Sequence, residues 1–130
     1  MESVDVELPD LGPLSWATKS GSHLYTAIVP IRSTGEIITG SIEDQAFVVF
    51  DNLRTIMVAA GGSLQDVVQV IIYLLDIQDA PKMTEVWKTV FVAPYPNRAT
   101  IGVQGLTIPG VRIEIVATAI LSPTVMEHRP

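Results

Sequence analysis

One nearly continuous apolar run, "VVQVIIYLLD" at residues 67–76, constrains the fold more than any other stretch of the chain. It is rich in β-branched residues and much shorter than the roughly 18 apolar residues that suggest a membrane span. A run of this kind is typical of a strand that is buried on both faces of a sheet. The sequence therefore predicts a sheet that is covered on both sides.

Two amphipathic segments predict helices on either side of this strand. Ser41 and Asp44 fit a capping box in front of an apolar series at helical spacing, and a pair of glycines ends that series. A second, shorter helix is predicted over residues 81–91, where the first residue is a proline suited to a first helical turn. Two helices are enough to cover one face of a sheet. The expected cover for the other face is a second subunit.

Further strands are predicted at residues 4–8, 23–29, 98–104 and 111–121. After an N-terminal strand or hairpin, the order is strand, helix, strand, helix, strand, strand. This order predicts a single α+β or α/β domain spanning residues 1–130 in layers, with a loose tail over about residues 122–130.

Composition limits the classes of function. Hydrophobic residues make up 48% of the chain, and the mean hydropathy is +0.39, so apolar surface should remain on a monomer of this size and favours a homo-oligomer. The net charge of −6 and the absence of a Lys or Arg cluster disfavour nucleic acid as a partner. Without cysteine, disulfides and thiolate chemistry are excluded. The acidic N-terminus lacks the apolar core of a signal peptide, so we expect a cytoplasmic protein without a membrane partner.

Charges are scarce in the last third of the chain. From residue 89 to residue 126 there are only three, Arg98, Arg112 and Glu114. Arg98 and Glu114 are each costly in apolar surroundings unless they meet a partner. An ion pair between them is one explanation, although a simple hairpin would hold them roughly 10–13 Å apart. The pair would then require another topology or a contact between subunits. A bound carboxylate is the other explanation, because it matches the planar fork of an arginine.

Five stretches of sequence, taken in order, resemble the RidA/YjgF family of enamine/imine deaminases. They are "GPLS", "LYTAIVPI", "QAFVVFDNLRTIMVAAGGSLQDVVQVIIYLLDI", "YPNRATIGV" and "VRIEIVATAI", and they extend from about residue 12 to residue 121. The P-x-R motif and the E-I-x-A-x-A ending are the most specific. The resemblance implies a chorismate-mutase-like α+β fold, a two-layer sandwich of a mixed sheet with two helices on one face. It also implies a homotrimer with sites between its subunits.

The resemblance further implies a reaction, the hydrolysis of a 2-imino or 2-enamino acid to a 2-keto acid and ammonia. Arg98 matches the arginine that holds the substrate carboxylate, and Glu114 matches the glutamate that positions water or handles protons. No metal or organic cofactor is implied, and the two histidines, at 23 and 128, are too few and too separate for a metal site. The substrate-binding positions of the family fall on Leu14, Thr26, Ala27, Thr84, Trp87 and Thr100, together with Arg98.

Several of these positions depart from the family pattern. Leu14 replaces a frequent aromatic, Ala27 replaces a glycine and Thr84 replaces an asparagine. The changes make the pocket more apolar in places, and a larger or dedicated substrate, such as an aminomuconate, fits it at least as well as 2-aminoacrylate does. The alternative function is a non-catalytic trimer that binds small carboxylate metabolites through Arg98.

Overall fold

The computed structural model describes residues 1–123 as a mixed six-stranded sheet with two helices packed on one face. The tail predicted over residues 122–130 lies mostly outside the described residues, as does His128. None of the helices within residues 1–123 is long and apolar enough to cross a membrane. In chain order the elements are β1 (Glu2–Ser3), β2 (Ala17–Ser20), β3 (His23–Ile28), α1 (Ile42–Ala59), β4 (Val67–Leu74), α2 (Ala80–Val90), β5 (Asn97–Gly102) and β6 (Ile113–Ile120).

The strands lie in the order β1-β2-β3-β6-β4-β5. β6 pairs antiparallel with both β3 and β4, whereas β5 pairs in parallel with β4 at the edge of the sheet. Parallel strands need a crossover connection, and α2 supplies it between β4 and β5. The simple hairpin of the last two strands is therefore wrong, because β4 lies between them. The first strand forms at Glu2–Ser3, before the predicted residues 4–8.

The N-terminus of α1 confirms its predicted start. The side chain of Ser41 accepts a hydrogen bond of 3.1 Å from the backbone N–H of Asp44, which satisfies one of the donors that a first helical turn leaves open. The predicted second helix is α2, with its proline in the first turn. Both helices pack on one side of the sheet, and the apolar residues of β6 alternate accordingly. Ile113 and Ile115 are fully buried beneath the helices.

β4 is buried on one face only. Ile72 and Leu74 are fully buried under the helices, whereas Ile71 and Tyr73 point to the other side and are half-buried. In the single chain α1 and α2 share one side and cover one face, as predicted, and the cover of the other face by a second subunit stays a prediction. We call the side away from the helices the open face. Large apolar side chains remain exposed on it, namely Tyr25, Ile101 and Ile120.

Candidate active site

Arg98 lies on edge strand β5 and its side chain turns to the helix side of the sheet. Its ladder partner, Val70, is fully buried beneath the helices. The Nη2 group of Arg98 donates to Oγ1 of Thr84 at 3.3 Å, and Cζ lies 5.0 Å from the ring centre of Trp87. Within residues 1–123, no carboxylate lies within 4 Å of this guanidinium. Both partners, Thr84 and Trp87, are neutral. The positive charge of Arg98 is therefore not balanced by these contacts and can attract an anion.

The other arginine of this region is neutralised inside the chain. Nη2 of Arg112 lies 2.8 Å from both carboxylate oxygens of Asp79, whose residue is only 7% exposed. The backbone N–H of Arg112 also donates to the side chain of Gln45 at 2.7 Å. Arg112 is therefore part of the packing between β6 and the start of α2.

Glu114 lies on β6 and points to the open face. Its ladder partner is Tyr73, and burial raises the pKa of the Glu114 carboxyl above its ordinary value because the charged form loses water. The register of β3 and β6 pairs Ala27 with Val116, two residues along from Glu114. Glu114 and Ala27 are thus diagonal neighbours, about 7–8 Å apart between Cα atoms.

Arg98 and Glu114 consequently lie on opposite faces of the sheet, with β4 between their strands. A direct ion pair between them does not form within one chain. The separation also means that one chain cannot present both side chains to the same small molecule on one face.

The predicted site residues fall into two groups. The arginine half-site consists of Arg98, Thr84, Trp87 and Thr100, which lie around β5 and α2. Thr100 follows Arg98 by two residues and its ladder partner is the buried Ile72, so it shares the helix side with Arg98. The glutamate half-site consists of Glu114 and Ala27, which share the open face of β6 and β3. Thr26 points instead to the helix side with its buried ladder partner Ala117, and Leu14 lies in the segment before β2.

The side chain of Thr26 is already engaged on the helix side. It is 5% exposed and its hydroxyl donates to the backbone oxygen of Trp16 at 2.6 Å. Ala27 is exposed, and Leu14 is 60% exposed. A hollow of about 270 Å³ opens beside Ala27, and Trp16 and Val116 contribute to its lining.

Two neighbours of these groups were not singled out from the sequence. Tyr73 is the ladder partner of Glu114, although its place in an apolar run favours a core position. Val116 alternates with the apolar residues of β6, and this alternation was the available signal that it shares a face with Glu114. Among residues 1–123, no three His, Asp or Glu side chains come together in a way that could hold a metal ion.

Comparison with known proteins gives a family match over nearly the whole chain. The model of the family described as Endoribonuclease L-PSP matches residues 5–121. A RutC family protein of Pyrococcus horikoshii is 43% identical over 111 residues, which cover 84% of this chain and 87% of that protein.

Two further relatives carry names or ligands that bear on chemistry. A 2-iminobutanoate/2-iminopropanoate deaminase of Dermatophagoides farinae is 34% identical over 85% of this chain and 88% of its own length. The crystal structure of E. coli TdcF with bound serine superposes with a TM-score of 0.86 at 30% identity, covering 94% of this chain and all of that one.

Proposed function

Because the chain belongs to the RidA/YjgF family of enamine/imine deaminases, we propose that it hydrolyses 2-imino or 2-enamino carboxylic acids to 2-keto acids and ammonia. The observation that carries the proposal is the state of Arg98. Its guanidinium has a hydroxyl and an indole as neighbours and no carboxylate within residues 1–123. A planar fork with open donors matches the carboxylate that every such substrate carries.

Glu114 is the proposed proton carrier. Its carboxyl is partly desolvated, and the raised pKa brings the group closer to the operating pH, where one residue both accepts and returns a proton. Water attacks the imine carbon while Glu114 accepts its proton. Glu114 returns this proton to the imine nitrogen, which gives a carbinolamine. The hydroxyl proton of the carbinolamine then passes through Glu114 to the same nitrogen, the carbon–nitrogen bond breaks, and ammonia leaves as the keto group forms. Arg98 contributes by holding the carboxylate, which turns an encounter into a positioned attack.

We further propose that two copies of the chain complete each site, one with its arginine half-site and the other with its glutamate half-site. The two half-sites lie on opposite faces of the sheet in one chain, so a shared ligand requires a second copy. The exposed apolar side chains of the open face favour such contact. A contact that joins two different surfaces closes into a ring when the rotation between successive copies divides a full turn, and the proposed ring is a homotrimer, with a rotation of about 120°.

The substrate side chain is proposed to enter the hollow beside Ala27. None of the residues that line this hollow is a lysine or arginine, and an apolar side chain suits it. An aminomuconate remains the proposed dedicated substrate, with its second carboxylate directed away from the hollow. A panel of the imino acids derived from alanine, 2-aminobutanoate and leucine, together with 2-aminomuconate itself, distinguishes small, branched and dicarboxylate substrates.

The direct test measures keto-acid and ammonia release from an imino acid that an amino-acid oxidase generates in place, above the spontaneous rate. Arg98→Ala should reduce kcat/KM by about 100-fold, since a charge-assisted anchor is lost. Arg54→Ala is the matched control, because Arg54 is an exposed helical arginine paired with Asp51 at 2.9 Å. No release above the spontaneous rate in wild type would refute the deaminase proposal, and equal rates for wild type and Arg98→Ala would refute Arg98 as its carboxylate anchor.

A second candidate function, a trimeric binder of small carboxylates without turnover, is favoured by one observation on a relative. The E. coli TdcF structure contains bound serine, a small molecule with a carboxylate. The binder predicts stabilisation by 2-keto acids, no ammonia release, and unchanged binding in Glu114→Gln. A deaminase instead loses turnover in that variant while it retains binding.

RNA cleavage, which the description of the matching family suggests, is not our proposal. The net charge of −6 repels a polyanion on average, and basic residues are few and scattered along the chain. The expectation that nucleic acid is not a partner is therefore retained.

A further inference from the structure

Trp87 lies beneath the guanidinium of Arg98 and is fixed in the core. It is 5% exposed, and its ring packs 4.1 Å from the ring of Phe91, centre to centre, and 5.7 Å from that of Phe50, which it meets edge-on. A large ring held on two sides by aromatic neighbours has little freedom to tilt. The substrate-binding role expected for Trp87 from the sequence stays a prediction; in the single chain its ring contacts Arg98.

The contacts of Arg98 divide its guanidinium into used and available parts. The centre of the guanidinium, Cζ, lies over the Trp87 ring, and Thr84 accepts from one N–H of Nη2. Within residues 1–123, the remaining N–H groups of the Arg98 guanidinium make no hydrogen bond to a side chain or to the backbone. They lie in the plane of the fork, which is the direction from which a carboxylate binds bidentately.

Fixing an arginine before the ligand arrives has a thermodynamic consequence. A free arginine side chain carries about 2 kcal/mol of rotamer entropy, part of which is lost when it orders on a ligand. A side chain that is already held by an indole and a hydroxyl loses less on binding, so the ligand binds more tightly.

We propose that Trp87 and Thr84 are positioning residues that hold the Arg98 guanidinium in place, so that its open edge receives the carboxylate of the ligand. This inference rests on the proposed role of Arg98 as the carboxylate anchor. Trp87 supports the guanidinium through the cation–π contact, and Thr84 sets its rotation. Neither residue takes part in bond breaking, so substitutions of Trp87 or Thr84 should change Kd and KM more than kcat.

The first experiment separates positioning from packing in the full-length protein. Trp87→Leu removes the ring beneath Arg98, and Phe50→Leu removes a buried ring from the same cluster without touching Arg98. The probe is 2-oxobutanoate, and its Kd is measured by calorimetry alongside KM and kcat for an imino acid. We expect Kd and KM to rise about tenfold in Trp87→Leu and by less than about twofold in Phe50→Leu, with kcat changed little in both. Equal effects of the two variants on Kd would overturn the role of Trp87.

The second experiment removes a single hydroxyl. Thr84→Val keeps the shape of the side chain on a half-buried helix position, so folding does not limit the test. A hydrogen bond to a charged group is lost, and we expect Kd for 2-oxobutanoate to rise about threefold to tenfold. Thr84→Ser restores the hydroxyl and should recover most of the affinity. If serine binds no better than valine, Thr84 does not position Arg98.

The third experiment reads the contact directly. The chain has two tryptophans, so Trp16→Phe leaves Trp87 as the only indole. Titration with 2-oxobutanoate should change the Trp87 fluorescence in a saturable way, and the change should vanish when Arg98→Ala is added. If calorimetry shows that 2-oxobutanoate binds to saturation while the Trp87 fluorescence does not change, the contact between Trp87 and Arg98 is contradicted.

These readouts also distinguish this inference from the proposed function. If wild type binds 2-oxobutanoate with the expected Trp87 response but releases no ammonia from imino acids, the deaminase proposal fails and the positioning role is supported. If imino acids are hydrolysed but Trp87→Leu behaves like Phe50→Leu, the positioning role alone fails. Absence of any binding of 2-oxobutanoate overturns the inference.

Discussion

The surroundings of Arg112 and Arg98 differ in one decisive respect. Both arginines follow α2 in the chain, and both are half-buried among apolar residues. Arg112 donates to both oxygens of Asp79, a charged partner that is itself buried. Arg98 contacts the hydroxyl of Thr84 and the ring of Trp87, which are neutral. The first arginine is therefore a structural ion pair, and the second is held in place with its charge unbalanced.

This difference explains how a chain with so few charges in its last third uses each of them. A buried carboxylate is tolerated only with a cation and hydrogen bonds, and Arg112 supplies these to Asp79. A cation with neutral partners remains attractive to any anion that reaches it. The same comparison applies to the carboxylates, because Asp79 has an arginine beside it whereas burial alone raises the pKa of Glu114.

The largest effect on stability is expected where the ion pair is broken. Arg112→Met leaves Asp79 buried without its cation and should lower the free energy of unfolding by about 2–3 kcal/mol, the low end for a buried pair because the Arg112 side chain is 36% exposed. Urea unfolding at one fixed protomer concentration measures this change. The double variant Arg112→Met with Asp79→Leu should recover most of it, since no charge is then stranded. A double variant as unstable as the single one would contradict the explanation.

A slightly smaller effect is expected at Gln45, which lies beneath the same ion pair. Its side chain is fully buried, donates to the backbone oxygens of Gly40 and Gly110 at 3.2 and 3.1 Å, and accepts from Arg112 N–H at 2.7 Å. Gln45→Leu keeps the volume but leaves three backbone groups without their partner, at a cost of about 2 kcal/mol in unfolding free energy.

Gln45→Leu also tests how separate the two arginines are. Affinity for 2-oxobutanoate should stay within about twofold of wild type, because the hydrogen bonds of Gln45 go to Gly40, Gly110 and Arg112 and none goes to a residue of the arginine half-site. A large loss of affinity would mean that the two arginines are coupled through the fold.

Local structure was predictable from the sequence because it depends on nearby residues. The cap at Ser41 joins residues three positions apart, and the alternation of β6 assigns Glu114 to the face opposite Ile113 and Ile115. The insertion of β4 between β5 and β6 was not predictable in this way. Strands close in sequence favour a hairpin, and only the crossover through α2 creates the parallel pairing of β4 with β5.

For the candidate site, the sequence identified the charged residues but not their surroundings. Arg98 and Glu114 stand out because charges are rare in this region. Whether Arg98 turns to the helices depends on its register with Val70, and its contact with Trp87 depends on how α2 packs. The partner of Arg112 lies 33 residues away in sequence, and no local pattern links it to Asp79.

A smaller stability effect is expected at Arg98 itself. Arg98→Met keeps a long apolar stem over Trp87 and removes a charge that no carboxylate balances within the described part of the chain. We expect the free energy of unfolding to change by less than about 1 kcal/mol, the size of a cation–π contact at a partly exposed site. Under the conditions used for Arg112→Met, a loss as large as that of Arg112→Met would mean that Arg98 is structural.

The smallest effect depends on pH and concerns Glu114. Because burial raises its folded-state pKa, the folded chain binds more protons than the unfolded chain between the ordinary glutamate pKa and the raised one. Stability attributable to this group is therefore fully present below the ordinary pKa and decreases as the pH rises through the raised value. Glu114→Gln carries no charge at any pH, so it should be slightly more stable than wild type at neutral pH. The two should converge as the pH falls below about 4. Urea midpoints across this range measure the difference, and a variant that is less stable than wild type at neutral pH would mean that the Glu114 carboxylate has a stabilising partner, as Asp79 has in Arg112.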